Sequence, residues 1–426
     1  MRGLLLDLTP LRQGRDFRLL FFGQLVSFTG SMITFVALPF QMYELTRSTL
    51  QVGILGICEF VPIVVIALVS GALADSVDRR RLGLIAEVGA AATAAALIAN
   101  SLAPEPATAV LYVCASLLAG FSALLRPPLE AMVPRLVPRE QLKAAMALRW
   151  IRSDVGMVGG PALGGVLIAA FGLPVTYTID LATFLVSLVL LTMMRASPPP
   201  VDADAASLRS ILDGLRYARS RQELVGTYLV DANAMFFGMP RALFPALAVG
   251  YGGPAVLGLM FAAPAAGSFV AAAFSGWTRR VHRHGRAISY AAAGWGVAII
   301  AFGFSDTLWL ALLTLAIAGG MDAISGLFRT VMWNETIPDR LRGRLAGVEM
   351  ISYTSGPTLG SFEAGAVASL AGVRASIVSG GILCVVGTVA LAAALPRFWR
   401  YDARQAETEA PAREEAVGAA QPHLDP

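Results

Sequence analysis

The chain has 426 residues, of which 56% are hydrophobic and only 15% charged, and its mean hydropathy is +0.65. A soluble domain carries about a quarter charged residues, so this composition excludes a soluble enzyme, a disordered chain and a fibrous protein, and leaves a polytopic membrane protein. The net charge of +4 arises from 33 basic residues, all arginine except Lys143, in short clusters between apolar runs; that distribution suits anionic lipid headgroups rather than nucleic acid.

Residues 1–16 carry Arg2, Asp7, Arg12, Arg15 and Asp16 and no apolar core, so no cleavable signal is expected. Apolar runs of membrane-helix length, about 20 residues, then recur at 18–43, 51–74, 83–102, 107–125, 144–171 and 174–194. They continue at 224–249, 254–277, 287–305, 308–332, 343–371 and 373–396. The runs are continuous rather than alternating, which excludes a β-barrel. The expected fold is an all-α membrane protein with twelve transmembrane helices in two six-helix bundles.

Basic residues set the orientation. The odd-numbered gaps hold Arg47 and Arg374, whereas the even ones hold Arg79–Arg81, Arg135, Arg139 and Lys143, Arg209 to Arg221, Arg279 to Arg286, and Arg340 to Arg344. Positive charge stays in the cytoplasm, so both termini are expected inside. Trp277, Trp333, Trp399 and Trp309 fall at span ends, as an interfacial belt requires, while Trp295 falls mid-span and the belt does not account for it.

Between the halves, Ser197-Pro198-Pro199-Pro200 stops the sixth span, and Leu208, Ile211, Leu212 and Leu215 recur at helical spacing. This predicts an interfacial helix in a cytoplasmic linker, and the acidic tail predicts disorder. The division is therefore 1–195, an N-terminal bundle; 196–223, the linker; 224–396, a C-terminal bundle; and 397–426, the tail. The halves look related. Met132 to Pro138 has a counterpart in Met332 to Pro338, and Gly160-Pro161-Ala162-Leu163-Gly164-Gly165 is echoed by Gly356-Pro357-Thr358-Leu359-Gly360-Ser361.

Ionisable groups inside spans are costly and so are candidates for a proton or substrate cavity: Glu59, Asp231, Asp322 and Glu363. For each, a buried acid satisfied by hydroxyls and backbone is the plainer alternative. Arg241 lies ten residues beyond Asp231, roughly 15 Å along a helix. In a straight helix the two cannot pair, so Arg241 is expected to meet an anionic substrate or another span's acid. Glu87 and Asp180, nearer span ends, are expected to reach water, and His282 and His284, in a basic gap, to be solvated. Cys58, Cys114 and Cys384 read as buried free thiols. No metal site or cofactor is expected, and the lack of a Gly-x-x-x-x-Gly-Lys-Ser loop disfavours ATP-driven export.

In the second gap, Gly71-Ala72-Leu73-Ala74-Asp75-Ser76-Val77-Asp78-Arg79-Arg80-Arg81 resembles a loop of the major facilitator superfamily, Gly-x-Leu-Ala-Asp-Arg-x-Gly-Arg-Arg. Gly71, Asp75, Arg79 and Arg80 match; Ser76 and Asp78 depart. The resemblance implies a cytoplasmic latch, with Asp75 facing a helix N-terminus of the other half and Arg79 pairing with it or with a neighbouring acid. Glu130 is a further latch candidate, and simple positive-inside placement is the plainer reading of Arg80. In span five, Gly156-x-x-x-Gly160-Pro161-x-x-Gly164-Gly165 resembles the superfamily's antiporter motif, with Ala147 in place of a further glycine and Asp154 in the hinge network before it. Leu243 to Ala248, Gly258 to Pro264 and Gly267 resemble the enterobactin-exporter branch, strings shared with macrolide and multidrug exporters. One departure is that span four, taken as 107–125, contains no arginine, where many drug antiporters carry one linked to proton handling.

The resemblance implies a secondary transporter of the bacterial cytoplasmic membrane. Its halves are expected to rock about one site and to export a siderophore or drug-like solute in exchange for protons. Small-molecule substrate, protons and membrane lipid are the expected partners, with no nucleic acid, no cofactor and a monomeric state. A solute importer of the same fold and a non-transporting membrane receptor or assembly factor remain open alternatives.

Overall fold

The computed structural model describes residues 7–195, 216–337 and 339–404; within these, the side chains of 67–76, 126, 339–344 and 346–353 lie outside the description. The predicted linker helix (Leu208 to Leu215) and most of the acidic tail also lie outside the described residues.

A helix stands at every expected span: α1 Arg15–Thr46, α2 Thr49–Ser76, α3 Arg79–Leu102, α4 Thr108–Leu136, α5 Leu142–Thr192, α6 Gln222–Phe237, α7 Phe244–Tyr251, α8 Pro254–Ala273, α9 His284–Gly303, α10 Leu308–Thr336, α11 Asp339–Ala371 and α12 Val373–Ala394. Among the described residues, nine stretches are long and apolar enough to cross a membrane, and one of these, Arg139–Thr192, has 54 residues. That stretch covers two expected spans, because α5 breaks at Gly172 (φ 78°, ψ 176°) into two arms. The expected seventh span is divided in turn, into α6 and α7.

Four of the turns away from the arginine-rich loops are only one or two residues long, and so sharp a reversal demands left-handed backbone. Arg47 (φ 51°), Gly252 (φ 130°), Gly253 (φ 94°) and Gly372 (φ 90°) supply it, as Gly172 does within α5. At the basic end, Asp78 caps α3 by accepting from the Arg80 and Arg81 N–H groups at 2.9 and 3.2 Å. That role explains its departure from the family loop.

Helix α4 runs on to Leu136, past the expected end, and takes in Arg126, Pro127, Pro128 and Pro134. The expectation that span four lacks an arginine is thereby corrected: a continuous helix carries Arg126, whose side chain lies outside the description. The tail also begins later than expected. Residues Pro396–Trp399 form a short helix whose Phe398 is fully buried against Gly226 of α6 and Gly285 of α9.

Packing follows small residues. Along α5, a methyl on Gly156 would strike Phe28, one on Gly160 would lie 2.8 Å from the Thr29 carbonyl oxygen, and one on Gly164 would lie 3.1 Å from that of Ile33. These three glycines therefore seat α5 on α1. In α11 the corresponding contacts fall on α6: a methyl on Gly356 would lie 2.6 Å from Met235 Cβ, and one on Gly360 3.0 Å from Phe236 Cα.

Candidate functional site

The break in the seventh span builds the site. Gly238 caps α6 through its N–H to the Ala234 carbonyl at 2.8 Å, and Pro240 has no N–H to continue the helix. The break frees the Gly238 carbonyl, which accepts from the Trp295 indole N–H at 3.0 Å. Trp295, unexplained as a belt residue, is thus a buried donor that fixes the break. Arg241 opens the turn that follows, and its guanidinium lies 5.7 Å from the Phe35 ring centroid on α1. Phe35, Phe261 and Phe244 then continue edge to face, at centroid separations of 5.3 and 5.1 Å.

Two of the predicted acids act on Arg241, and a third is held on a neighbouring arginine. Glu59 on α2 and Asp322 on α10 both lie within electrostatic reach of it. Asp231 on α6 is buried and forms an ion pair with Arg329 of α10. The same guanidinium lies 3.5 Å from Asp322, whose side chain is 39% exposed. Glu363 stands apart: it is half-buried, and among the described residues it is not one of the charges acting on Glu59 or Arg241. Sequence reasoning missed Arg329. The rule that singled out the acids would have found it, since it lies inside the expected span 308–332; its nearness to the basic end of that span disguised it.

The N-terminal half treats its acids differently. Glu87 and Asp180 do not reach water; both are fully buried. Glu87 accepts from Gln24 (3.2 Å), Ser27 (3.1 Å) and Ser187 (2.7 Å). Asp180 accepts from Thr34 and Thr183. The expectation of water contact failed because α1 and the second arm of α5 offer a matching set of hydroxyls and one amide in the core. His284, expected to be solvated, is likewise buried, 3.3 Å from Glu335 and packed beside the Phe328 and Tyr401 rings.

At the basic end, Arg79 is buried and donates to the Ala131 carbonyl on α4 at 3.1 Å. Arg80 donates to the Leu191 carbonyl at 2.8 Å and to that of Thr192, so it caps the last turn of α5. Glu130 pairs with Arg149 at 3.0 Å within the same half, and Asp154 is exposed. Gly71 and Asp75 fall in the part of α2 whose side chains lie outside the description.

Two seams join the halves at the opposite end. A methyl on Gly165 of α5 would lie 2.8 Å from the Cα of Gly258 on α8, and a methyl on Gly258 would meet the Pro161 carbonyl. On the other side, a methyl on Gly53 of α2 would lie 2.9 Å from the Ser361 carbonyl oxygen of α11, and the Thr49 hydroxyl donates to the Gly365 carbonyl at 3.2 Å. Glu59 and Arg241 lie between these seams and the basic end, along helices that belong to different halves. The arrangement sets a cation beside three aromatic rings and within the electrostatic influence of two acids.

A family model described as transmembrane secretion effector matches residues 6–421. The enterobactin exporter EntS of Citrobacter koseri is 30% identical over 385 residues, covering 90% of this chain and 92% of the relative. EntS of Escherichia coli O1:K1 is 29% identical over 389 residues, covering 91% and 94%. Among solved structures, the nucleoside transporter NupG superposes with a TM-score of 0.71 at 12% identity, covering 91% of this chain and 100% of that one. A POT family transporter in complex with 5-aminolevulinic acid superposes with a TM-score of 0.72 at 12% identity, covering 90% and 97%. These last two likenesses carry the fold alone. The chain therefore belongs to the transmembrane secretion effector family of the major facilitator superfamily, in the enterobactin-exporter branch, and is a multi-pass membrane transporter of small molecules rather than an enzyme.

Proposed function

We propose that the protein exports a siderophore or another amphipathic, drug-like solute across the bacterial cytoplasmic membrane in exchange for protons, by alternating access between an N-terminal half (1–195) and a C-terminal half (224–396). The observation that carries this reading is Arg241. It is a guanidinium held at a helix break in one half, 5.7 Å from the Phe35 ring centroid of the other, and within electrostatic reach of Glu59 and Asp322. A planar cation beside aromatic rings is suited to an aromatic solute bearing hydroxyl or anionic groups, and the exporters named among its relatives support that class. The glycine seams support an outer seal that must part for release, and Gly71, Asp75, Arg79 and Arg80 remain the proposed latch at the cytoplasmic end. With twelve crossings, both termini lie inside, and the monomer suffices as the working unit.

The test is transport of enterobactin in inside-out vesicles. Accumulation that rises with an imposed proton gradient and collapses with it supports the proposal. Accumulation indifferent to the gradient removes proton antiport, and uptake by whole cells with no efflux after preloading replaces export with import.

A further inference from the structure

Five charges alternate in sign along a chain of ion pairs and electrostatic interactions: Asp231, Arg329, Asp322, Arg241 and Glu59. Arg329 is buried, is ion-paired with Asp231 through one terminal nitrogen, and lies 3.5 Å from Asp322 through the other. Its Nε–H is buried with no acceptor among the described residues, so its two terminal nitrogens make both of these contacts, one to each aspartate. Arg241 is acted on electrostatically by an acid of its own half, Asp322, and by an acid of the other, Glu59. Three carboxylates thus face two guanidiniums. Among the described residues no other charged group acts on Asp231, Arg241 or Glu59. With all five ionised the set carries one surplus negative charge, and the Asp322 side chain is 39% exposed, against 5% for Asp231 and 9% for Arg329.

We propose that Arg329 is a positioning residue that shares its guanidinium between Asp231 and Asp322, and that Asp322 is where the site takes up a single positive charge, either a proton or a cationic group of the solute. Neutralising Asp322 frees Arg329 to close on Asp231 alone. The pull of Asp322 on Arg241 is then lost, and that of Glu59 on α2 remains. One charge taken up at Asp322 thereby converts an attraction inside one half into an attraction between the halves, which is what a rocking transporter needs in order to link binding to closure. The role given to that charge rests on the exporter reading; the sharing of Arg329 does not.

The experiment uses the full chain, purified and reconstituted in liposomes, with enterobactin under an imposed pH gradient in one arm and tetraphenylphosphonium binding in the other. Asp322→Asn is expected to lose the response of flux to the gradient if the positive charge is a proton. It is expected to lose phosphonium binding if the charge is the solute's. A variant that keeps both responses overturns the proposal. Arg329→Lys keeps the charge but not the two-pronged geometry, and is expected to fold and to shift the pH profile of transport; an unchanged profile overturns the positioning role. Melting of the detergent-purified proteins supplies a readout that needs no transport. Arg329→Gln is expected to lower the melting temperature by about 5 °C or more, and Asp231→Asn/Arg329→Gln to recover at least about half of that loss, because removing both members of a buried pair is far better tolerated than removing one. Simply additive losses overturn the sharing of Arg329. Absence of enterobactin flux in the wild type, with the melting pattern intact, removes the exporter reading alone.

Discussion

Gly165 and Gly258 meet backbone to backbone across the halves: a methyl on Gly165 would come within 2.8 Å of the Gly258 Cα. A glycine within a helix costs about 1 kcal/mol relative to alanine, so its presence on both sides of a seam marks a contact that nothing larger can make. Gly165→Val is expected to pry this end apart. Labelling of a Thr49→Cys reporter on the neighbouring seam by an external, membrane-impermeant maleimide should rise several-fold, and substrate flux should fall by about tenfold or more.

Arg241 sets a planar, delocalised cation over the Phe35 ring, whereas lysine offers a strongly hydrated point charge. Arg241→Gln is expected to reduce flux in proteoliposomes by about tenfold or more, with Arg241→Lys recovering only part of it. Equal activity of lysine and arginine at this position would show that charge alone is used there.

Trp295 holds the break in place through one hydrogen bond. Trp295→Phe keeps the ring and removes the donor, leaving the buried Gly238 carbonyl unpaired at a cost of about 1–3 kcal/mol. The expected outcome is a lower melting temperature together with weaker substrate binding, since Arg241 follows directly on the break. A variant that loses stability but binds normally would separate the two.

Phe398 fills a slot closed by Gly226 and Gly285 and is fully buried. Phe398→Ala is expected to cost about 3–5 kcal/mol, and truncation after Leu395 at least as much, read by thermal unfolding of the purified protein. Phe398→Leu should recover most of the loss.

Glu87 accepts three hydrogen bonds from neutral donors. Glu87→Gln preserves shape and polarity and is expected to leave transport within about twofold of wild type, whereas Glu87→Leu strands Gln24, Ser27 and Ser187 at about 1–3 kcal/mol each. Loss of proton coupling in the glutamine variant would move this carboxyl from scaffold to mechanism.

The long apolar runs made the helices legible, because membrane length and continuous hydrophobicity leave one backbone solution. The narrow gap at 172–173 located the break in α5, since Gly172 and Pro174 are the residues such a reversal needs. The acids facing the centre, Glu59, Asp231 and Asp322, were legible from the cost of burying charge. Their partners were not: hydrophobicity reports depth but not azimuth, so Arg329 as the mate of Asp231, and the hydroxyl cradle of Glu87, required three dimensions. The internal repeat was read one turn out of register. Matching Gly-Pro pairs sets Gly160 against Gly356, yet by packing Gly156 corresponds to Gly356, Gly160 to Gly360, Gly165 to Gly365, and the left-handed Gly172 to Gly372, all 200 positions apart. The prolines misled because Pro161 and Pro357 sit at different heights in otherwise equivalent helices.

The interrupted seventh span has a mechanical corollary. Its first segment, α6, is packed on α11 and α12, and its second, α7, on α8 and α1. Asp231 rides the first and Arg241 follows the joint toward the second, so two charges on a single polypeptide span answer to separate levers. A displacement of α7 alone would change the separation of the arginine from Glu59 while the aspartate stays docked on Arg329.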